Sequence, residues 1–185
     1  INVYNQGDVD ITSVTIMDYI PAGMTLNDTN WTAVTGGATH TANVTIPAGT
    51  PATVGYTVDI TLTVDNPYTE PIISNNSAEI MEFTDTYSNV YDSTETHVDT
   101  DSTPDNNNTN DTGGQDDTAT DDELNDDGTT DEDDHDSENI RVIQPDLALA
   151  KTLTTGQASI VQPGTDVSFD LTITNQGDVD AYDIV

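Results

Sequence analysis

Six consecutive residues, Asn5-Gln6-Gly7-Asp8-Val9-Asp10, return as Asn175-Gln176-Gly177-Asp178-Val179-Asp180, an offset of 170 in a chain of 185. Flanking positions agree in character: Ile1 with Leu171, Val3 with Ile173, Val14 with Ile184. The last fifteen residues therefore replay the first fifteen. Two copies of one strand and turn cannot occupy one place in one domain. The expectation is one period of a tandem array, entered and left inside a domain. On this reading residues 1–98 hold the later strands of one repeat and 139–144 its closing strand. Residues 145–185 are the opening strands of the next repeat, which begins near Pro145, and they are not expected to pair with 1–98. The rival is a single-copy subunit that lends its terminal strands to a neighbour by strand addition.

The strands are read from alternation. Val54, Tyr56, Val58, Ile60, Leu62 and Val64 alternate with polar or small residues, as do Val167, Phe169, Leu171 and Ile173, and Ala42, Val44 and Ile46. A period of two is the mark of a strand with one buried face. Leu147, Leu149 and Leu153 mark the first strand after Pro145. Val9 and Ile11 change phase to Val14 and Ile16, which predicts a bulge near Thr12-Ser13. Asn-Gln-Gly-Asp is expected as a hairpin turn. Ile-Pro-Ala-Gly, at 20–23 and 46–49, is expected as a turn with Pro in its second position. No segment carries a 3.6-residue apolar period. Short strands with frequent turns predict an all-β chain, an antiparallel β-sandwich.

Charge divides the chain. It has 35 acidic residues against two basic ones, Arg141 and Lys151, and residues 99–138 alone hold 17 of the acids. The apolar members of that stretch are Ala119 and Leu124, too few for a core, so it is expected as a long acidic insertion. A surface of net charge −33 argues against nucleic acid and against an anionic membrane surface. No apolar run is long enough for a membrane span. With no cysteine there are neither disulfides nor thiolate metal sites. The expected partners are divalent cations and neighbouring repeats or subunits of the same fibre.

Calcium takes six to eight oxygen ligands from closely spaced carboxylates and carbonyls on a bending loop. Asp99, Asp101 and Asp105 alternate with small polar residues. Glu123, Asn125 and Asp127 fall at positions 1, 3 and 5 of a run with Gly128 at 6 and Asp134 at 12. That partly matches an EF-hand loop, with Glu in place of Asp at position 1. Asp131, Asp133, Asp134 and Asp136 form a third cluster. These ten residues are the candidate Ca2+ ligands. The plainer reading is a solvated acid tract that keeps the protein soluble.

Pro145-Asp-Leu-Ala-Leu-Ala-Lys-Thr152, then Gly164-Thr-Asp-Val-Ser-Phe-Asp-Leu-Thr-Ile-Thr-Asn-Gln-Gly177, then Asp18-Tyr-Ile-Pro-Ala-Gly-Met24 follow one another in repeat order. In that order they resemble the Ig-like repeat found in tandem in large secreted bacterial and archaeal surface proteins. The resemblance covers nearly all of the non-acidic chain. It implies an Ig-like sandwich, an extracellular location at the cell surface or in a secreted matrix, and no enzymatic activity. It also implies that acidic loops of this kind are linked to calcium. The function it implies is a structural module of a fibre, stalk or adhesin. The alternatives are a repeat that itself binds glycan or protein, and a subunit that polymerises by donor-strand exchange.

Single residues add little chemistry. Lys151 shares the parity of Leu147, Leu149 and Leu153. Its readings are a snorkelling rim lysine, an ion pair, or an isopeptide link to Asn or Asp. Trp31, the one tryptophan, is expected in the core rather than as a sugar-stacking platform. His40, His97 and His135 lack zinc spacing, and His135 is expected as a solvated member of the acid tract. Sequons at Asn27, Asn30, Asn43, Asn75, Asn107 and Asn110 matter only where the source glycosylates secreted proteins. No nucleophile-elbow motif is present.

Overall fold

The computed structural model describes residues 1–50, 55–68, 73–94, 106 and 134–184. Among the described residues there is no helix, and β-strands pair antiparallel. The chain divides into two compact units, Ile1–Ile140 and Arg141–Val185.

Among the described residues twelve strands follow in order. In the first unit they are β1 (Asn2–Val3), β2 (Ile11–Tyr19), β3 (Met24–Leu26), β4 (Thr32–Val34), β5 (Gly37–Ala42), β6 (Tyr56–Thr57), β7 (Leu62–Val64), β8 (Ile73–Asp85), β9 (Val90–Tyr91) and β10 (His135–Arg141). The last two are β11 (Leu147–Leu153) and β12 (Phe169–Asn175). One sheet has the order β10-β8-β2-β5-β4, with β9 also on β8. Facing it are β1 paired with β6 and β3 paired with β7. The core lies between these layers. Val14, Ile16, Ala38 and Ala42 come from β2 and β5, Val3 and Val58 from the other layer, and Trp31 and Ile46 from loops. The first unit is thus sandwich-like.

Over residues 55–65 the alternating run has two successive partners. Val58 N–H bonds the Ile1 carbonyl at 3.0 Å, and further along Asn27 N–H bonds the Thr61 carbonyl at 2.8 Å. Bonds to β1 use even-numbered residues of the run and bonds to β3 use odd-numbered ones. In an antiparallel ladder these parities face opposite edges. The layer therefore reads β1, then β6 with β7, then β3. The bulge expected near Thr12-Ser13 is present, since the β2–β8 register slips between Ile11 and Ser13.

Two turns differ from expectation. The loop after Asn5 is not a hairpin, because β1 and β2 belong to different layers and do not pair. The Asn5 amide spans the crossing by bonding Val9 and Ile46. In the first Ile-Pro-Ala-Gly turn, Met24 N–H bonds the Pro21 carbonyl at 3.2 Å, so Pro holds the first turn position. Gly23 then takes the third position with φ of 80°, where glycine has no Cβ to clash.

In the second unit β11 and β12 form a two-stranded sheet with each other. Leu149 faces Ile173 and Leu153 faces Phe169 in the ladder. All four side chains are exposed, Leu149 by 68%.

Candidate functional site

Asn5 anchors the repeated hexapeptide. It is 6% exposed. Its Nδ2 donates to the Val9 carbonyl at 2.8 Å and to the Ile46 carbonyl at 2.9 Å, and its Oδ1 accepts from Gly7 N–H at 3.1 Å. The second Ile-Pro-Ala-Gly docks on this loop. Gly49 N–H bonds the Gly7 carbonyl at 2.9 Å and Thr50 N–H bonds the Asn5 carbonyl at 2.8 Å. Ala48 N–H bonds Asp10 Oδ1 at 2.8 Å. The second copy has the same local geometry: Asn175 Nδ2 donates to the Val179 carbonyl at 2.8 Å, and Gly177 N–H donates to Asn175 Oδ1 at 3.1 Å. Asn175, unlike Asn5, is exposed.

The stretch between β9 and β10 is where cation ligands are expected. Of the ten candidates, Asp99, Asp101, Asp105, Glu123, Asn125, Asp127, Asp131 and Asp133 lie outside the described residues. The other two sit where β10 begins. Asp134 is 8% exposed and its carbonyl accepts from Ile80 N–H at 2.9 Å. Asp136 is exposed, and its Oδ1 accepts from Ser137 N–H at 2.7 Å. No group of three or more His, Cys, Asp or Glu side chains able to hold a metal occurs among the described residues. His135 is not a solvated residue of the tract: it is 8% exposed, like Ser137 at 5%. These inward positions are polar, so the apolar pattern could not reveal them. The strand accordingly starts ahead of the 139–144 expected for it.

Both flanks of the acidic stretch are fixed to β8. β2 occupies one edge of β8, and β9 and β10 share the other. The β8–β9 turn is held by Asp85. Its Oδ1 accepts from Tyr87 N–H at 2.8 Å and Asn89 N–H at 2.9 Å, and its Oδ2 from Asn89 Nδ2 at 2.7 Å and the Tyr91 hydroxyl at 3.3 Å. Burial raises the Asp85 carboxyl, but the bonds from Asn89, Tyr87 and Tyr91 outweigh it and hold it below its ordinary 3.8. Its stabilising contribution is therefore present above the unfolded-state value and is lost as pH falls through the folded one.

Asp18 behaves in the opposite sense. It lies on β2 in register with Val14 and Ile16 and is 1% exposed. Asn76 Nδ2 donates to its Oδ1 at 3.0 Å, while Oδ2 has no hydrogen-bond partner. Burial pushes its carboxyl above 3.8, against the Asn76 bond and the Ile1 ammonium. The folded state thus holds this proton more tightly than the unfolded state. Stability from Asp18 is full below the unfolded value and is lost as pH rises through the folded one. Asp18→Asn keeps an acceptor for Asn76 and removes the buried charge. We predict that its stability relative to the unaltered chain, read by urea unfolding, is higher at pH 7 than at about pH 4, near the ordinary carboxylate value. Equal differences at the two pH values would refute the assignment. On the neighbouring strand Glu79, 2% exposed, accepts from the Tyr19 hydroxyl.

Trp31 is 4% exposed within the core, and its Nε1–H donates to the Asp59 carbonyl at 2.8 Å. His40 Nδ1 lies 3.0 Å from the Asn30 carbonyl and its Nε2 lies 3.0 Å from the Tyr56 hydroxyl. A carbonyl only accepts, so Nδ1 carries the proton and Tyr56 donates to Nε2. This aromatic group is interior packing and offers no stacking platform at Trp31. Lys151 Nζ stands 4.2 Å from the centroid of Phe169, a cation–π contact on the open face of β11–β12. His97, Asn107 and Asn110 lie outside the described residues.

Comparison with known protein families, with characterised proteins and with solved structures finds no match.

Proposed function

We propose that the chain is a structural repeat module, an Ig-like β-sandwich of an extracellular fibre, stalk or adhesin, stiffened by calcium at its acidic stretch. One observation supports this most: a six-residue sequence recurs at an offset of 170 with the same side-chain-to-backbone hydrogen bonds, its asparagine buried in one copy and exposed in the other. A sequence that keeps its fold at two places is a repeated element. The role is mechanical: successive sandwiches span distance. Neighbouring repeats of the same fibre are the partners, at the cell surface or in a secreted matrix. The buried position of Trp31 favours this reading over a sugar-binding adhesin repeat.

Calcium follows from repulsion. Seventeen acids in forty residues, flanked by strands held on one edge of β8, repel one another unless cations neutralise them. Monovalent salt only screens such charges, whereas multidentate oxygen coordination binds. Calcium that binds the folded state alone adds about 2.7 kcal/mol at a hundredfold excess over its dissociation constant. The test is thermal melting and limited proteolysis, with calcium and with chelator at matched ionic strength. The expected result with chelator is a lower Tm and faster cleavage within 99–138. Replacing Asp131, Asp133 and Asp134 with Asn should reproduce it. Identical curves in the two conditions would leave the stretch as a solvated spacer.

A further inference from the structure

β1 and the end of β12 occupy equivalent positions ahead of the repeated hexapeptide, yet each is paired along the opposite edge. In the first unit Ile1 and Val58 exchange both backbone bonds, at 3.0 Å each, and Val3 pairs with Tyr56 in the same ladder. Antiparallel pairs alternate between bonded and non-bonded, so Ile1 and Val3 bond toward β6, while the N–H and C=O of Asn2 and Tyr4 point to the other edge. Among the described residues nothing pairs with that edge. In the second unit Gln176 N–H bonds the Asp146 carbonyl at 2.8 Å and Thr154 N–H bonds the Ser168 carbonyl at 3.2 Å. The same alternation makes Thr172 and Thr174 the residues that bond β11, opposite Ala150 and Ala148. Thr172 and Thr174 are the counterparts of Asn2 and Tyr4. The groups left open on β1 are thus the ones that β12 uses to hold β11.

We infer that the open edge of β1 is the acceptor for a β11 strand supplied by a second copy of this repeat, in the register that β12 displays. Ala148 then lies opposite Tyr4, Leu149 opposite Val3 and Ala150 opposite Asn2.

A glycine supports this independently. A Cβ added at Gly177 would stand 2.3 Å from the Asp146 nitrogen and 2.6 Å from the Gln144 carbonyl, so the chain entering β11 requires a glycine there. At its counterpart Gly7 a Cβ would meet Asn5 Oδ1 at 3.3 Å and nothing closer. Nor does Gly7 have a positive φ. The first copy therefore carries a glycine crowded only by the Asn5 side chain, far less tightly than Gly177 is by backbone, at the place where an incoming 144–146 segment would need one. Burial agrees. Val3 is 5% exposed, whereas its counterpart Ile173 is 49% exposed. A β11 strand seated on β1 would set Leu149 beside a side chain already in the core. Moving that leucine out of water is the driving force.

This deepens the proposed repeat-module reading and rests on it. The test is titration of the full, isotope-labelled chain with a synthetic peptide of residues 143–154, followed by NMR and calorimetry. The expected result is saturable binding, with the Asn2 and Tyr4 amides gaining protection from exchange. N-methylation of the peptide at Ala148 or Ala150 should weaken binding by at least about tenfold, a loss of about 1.4 kcal/mol, while N-methylation at Leu149 should not. The Gly7→Ala chain should melt at most slightly lower, by the crowding of Asn5 Oδ1, and lose the peptide. Tyr4→Pro, which removes the outward N–H together with the tyrosine ring, should lose it too, whereas Tyr4→Ala, which removes the ring and keeps the N–H, should retain it. No binding, binding that survives in both Gly7→Ala and Tyr4→Pro, or shifts mapped to another strand edge would each overturn the acceptor. Such a failure would leave the module reading standing, because that reading is judged by the exchange measurement on linked periods described below.

Discussion

Trp31→Ala should remove a large part of the stability of the first unit, about 3–5 kcal/mol on the scale of large-to-small aromatic substitutions in cores. A typical domain has about 5–15 kcal/mol in all. Three effects combine. The indole is 4% exposed, so its loss leaves a cavity between the layers. The Asp59 carbonyl loses its donor at 2.8 Å. His40, with its ring 5.3 Å from the indole, loses the neighbour that fixes its plane. Trp31→Phe separates these terms: it retains most of the volume and forfeits the hydrogen bond, for about 1–2 kcal/mol. Urea unfolding followed by circular dichroism measures both. A loss below about 1 kcal/mol for Trp31→Ala would place the tryptophan outside the core.

Asn5→Ala should cost about 2–3 kcal/mol, and Asn175→Ala less than about 1 kcal/mol. The two residues share a sequence context and an internal hydrogen-bond pattern. They differ in surroundings. Asn5 also donates to the Ile46 carbonyl at 2.9 Å and is 6% exposed, so truncation strands buried polar groups at the crossing between layers. Water can replace the bonds of exposed Asn175. Paired denaturation curves decide it, and equal costs would mean that the surroundings of the first copy contribute nothing.

Alternation made the strands legible wherever one face is apolar. Val14 and Ile16 on β2, and Leu149 and Ile173 on the hairpin, are read directly from a period of two. What alternation hides is a polar residue in an inward register. Asp18 shares parity with Val14 and Ile16, so its burial follows once the strand is extended by two residues. His135 and Ser137 on β10 carry no apolar partner in register, and their burial was not legible. The long run from 54 to 64 was legible as extended but not as serving two neighbours, because a backbone edge has no side-chain signature. Asn5-Gln6-Gly7-Asp8 was legible as a turn. Its use as a crossing between layers depends on Ile46, 41 residues away in the chain, which no local pattern names. The acidic stretch was legible by charge alone, and of its ten candidate ligands only Asp134 and Asp136 fall among the described residues.

The central claim is that the uncovered hairpin β11–β12 and the first unit are successive parts of one repeated domain. Backbone hydrogen exchange tests it most directly, comparing the chain with a protein in which two 170-residue periods are joined in frame. In the single chain the amides of Leu171 and Ile173 should exchange quickly, since among the described residues β11 and β12 pair only with each other, through the opposite edge of β12, and these side chains lie open to water. In the joined protein the internal copy of those strands should be protected to the level of Val3 and Val14. Equally fast exchange of the internal copy and the terminal one would contradict the repeat as the unit of folding.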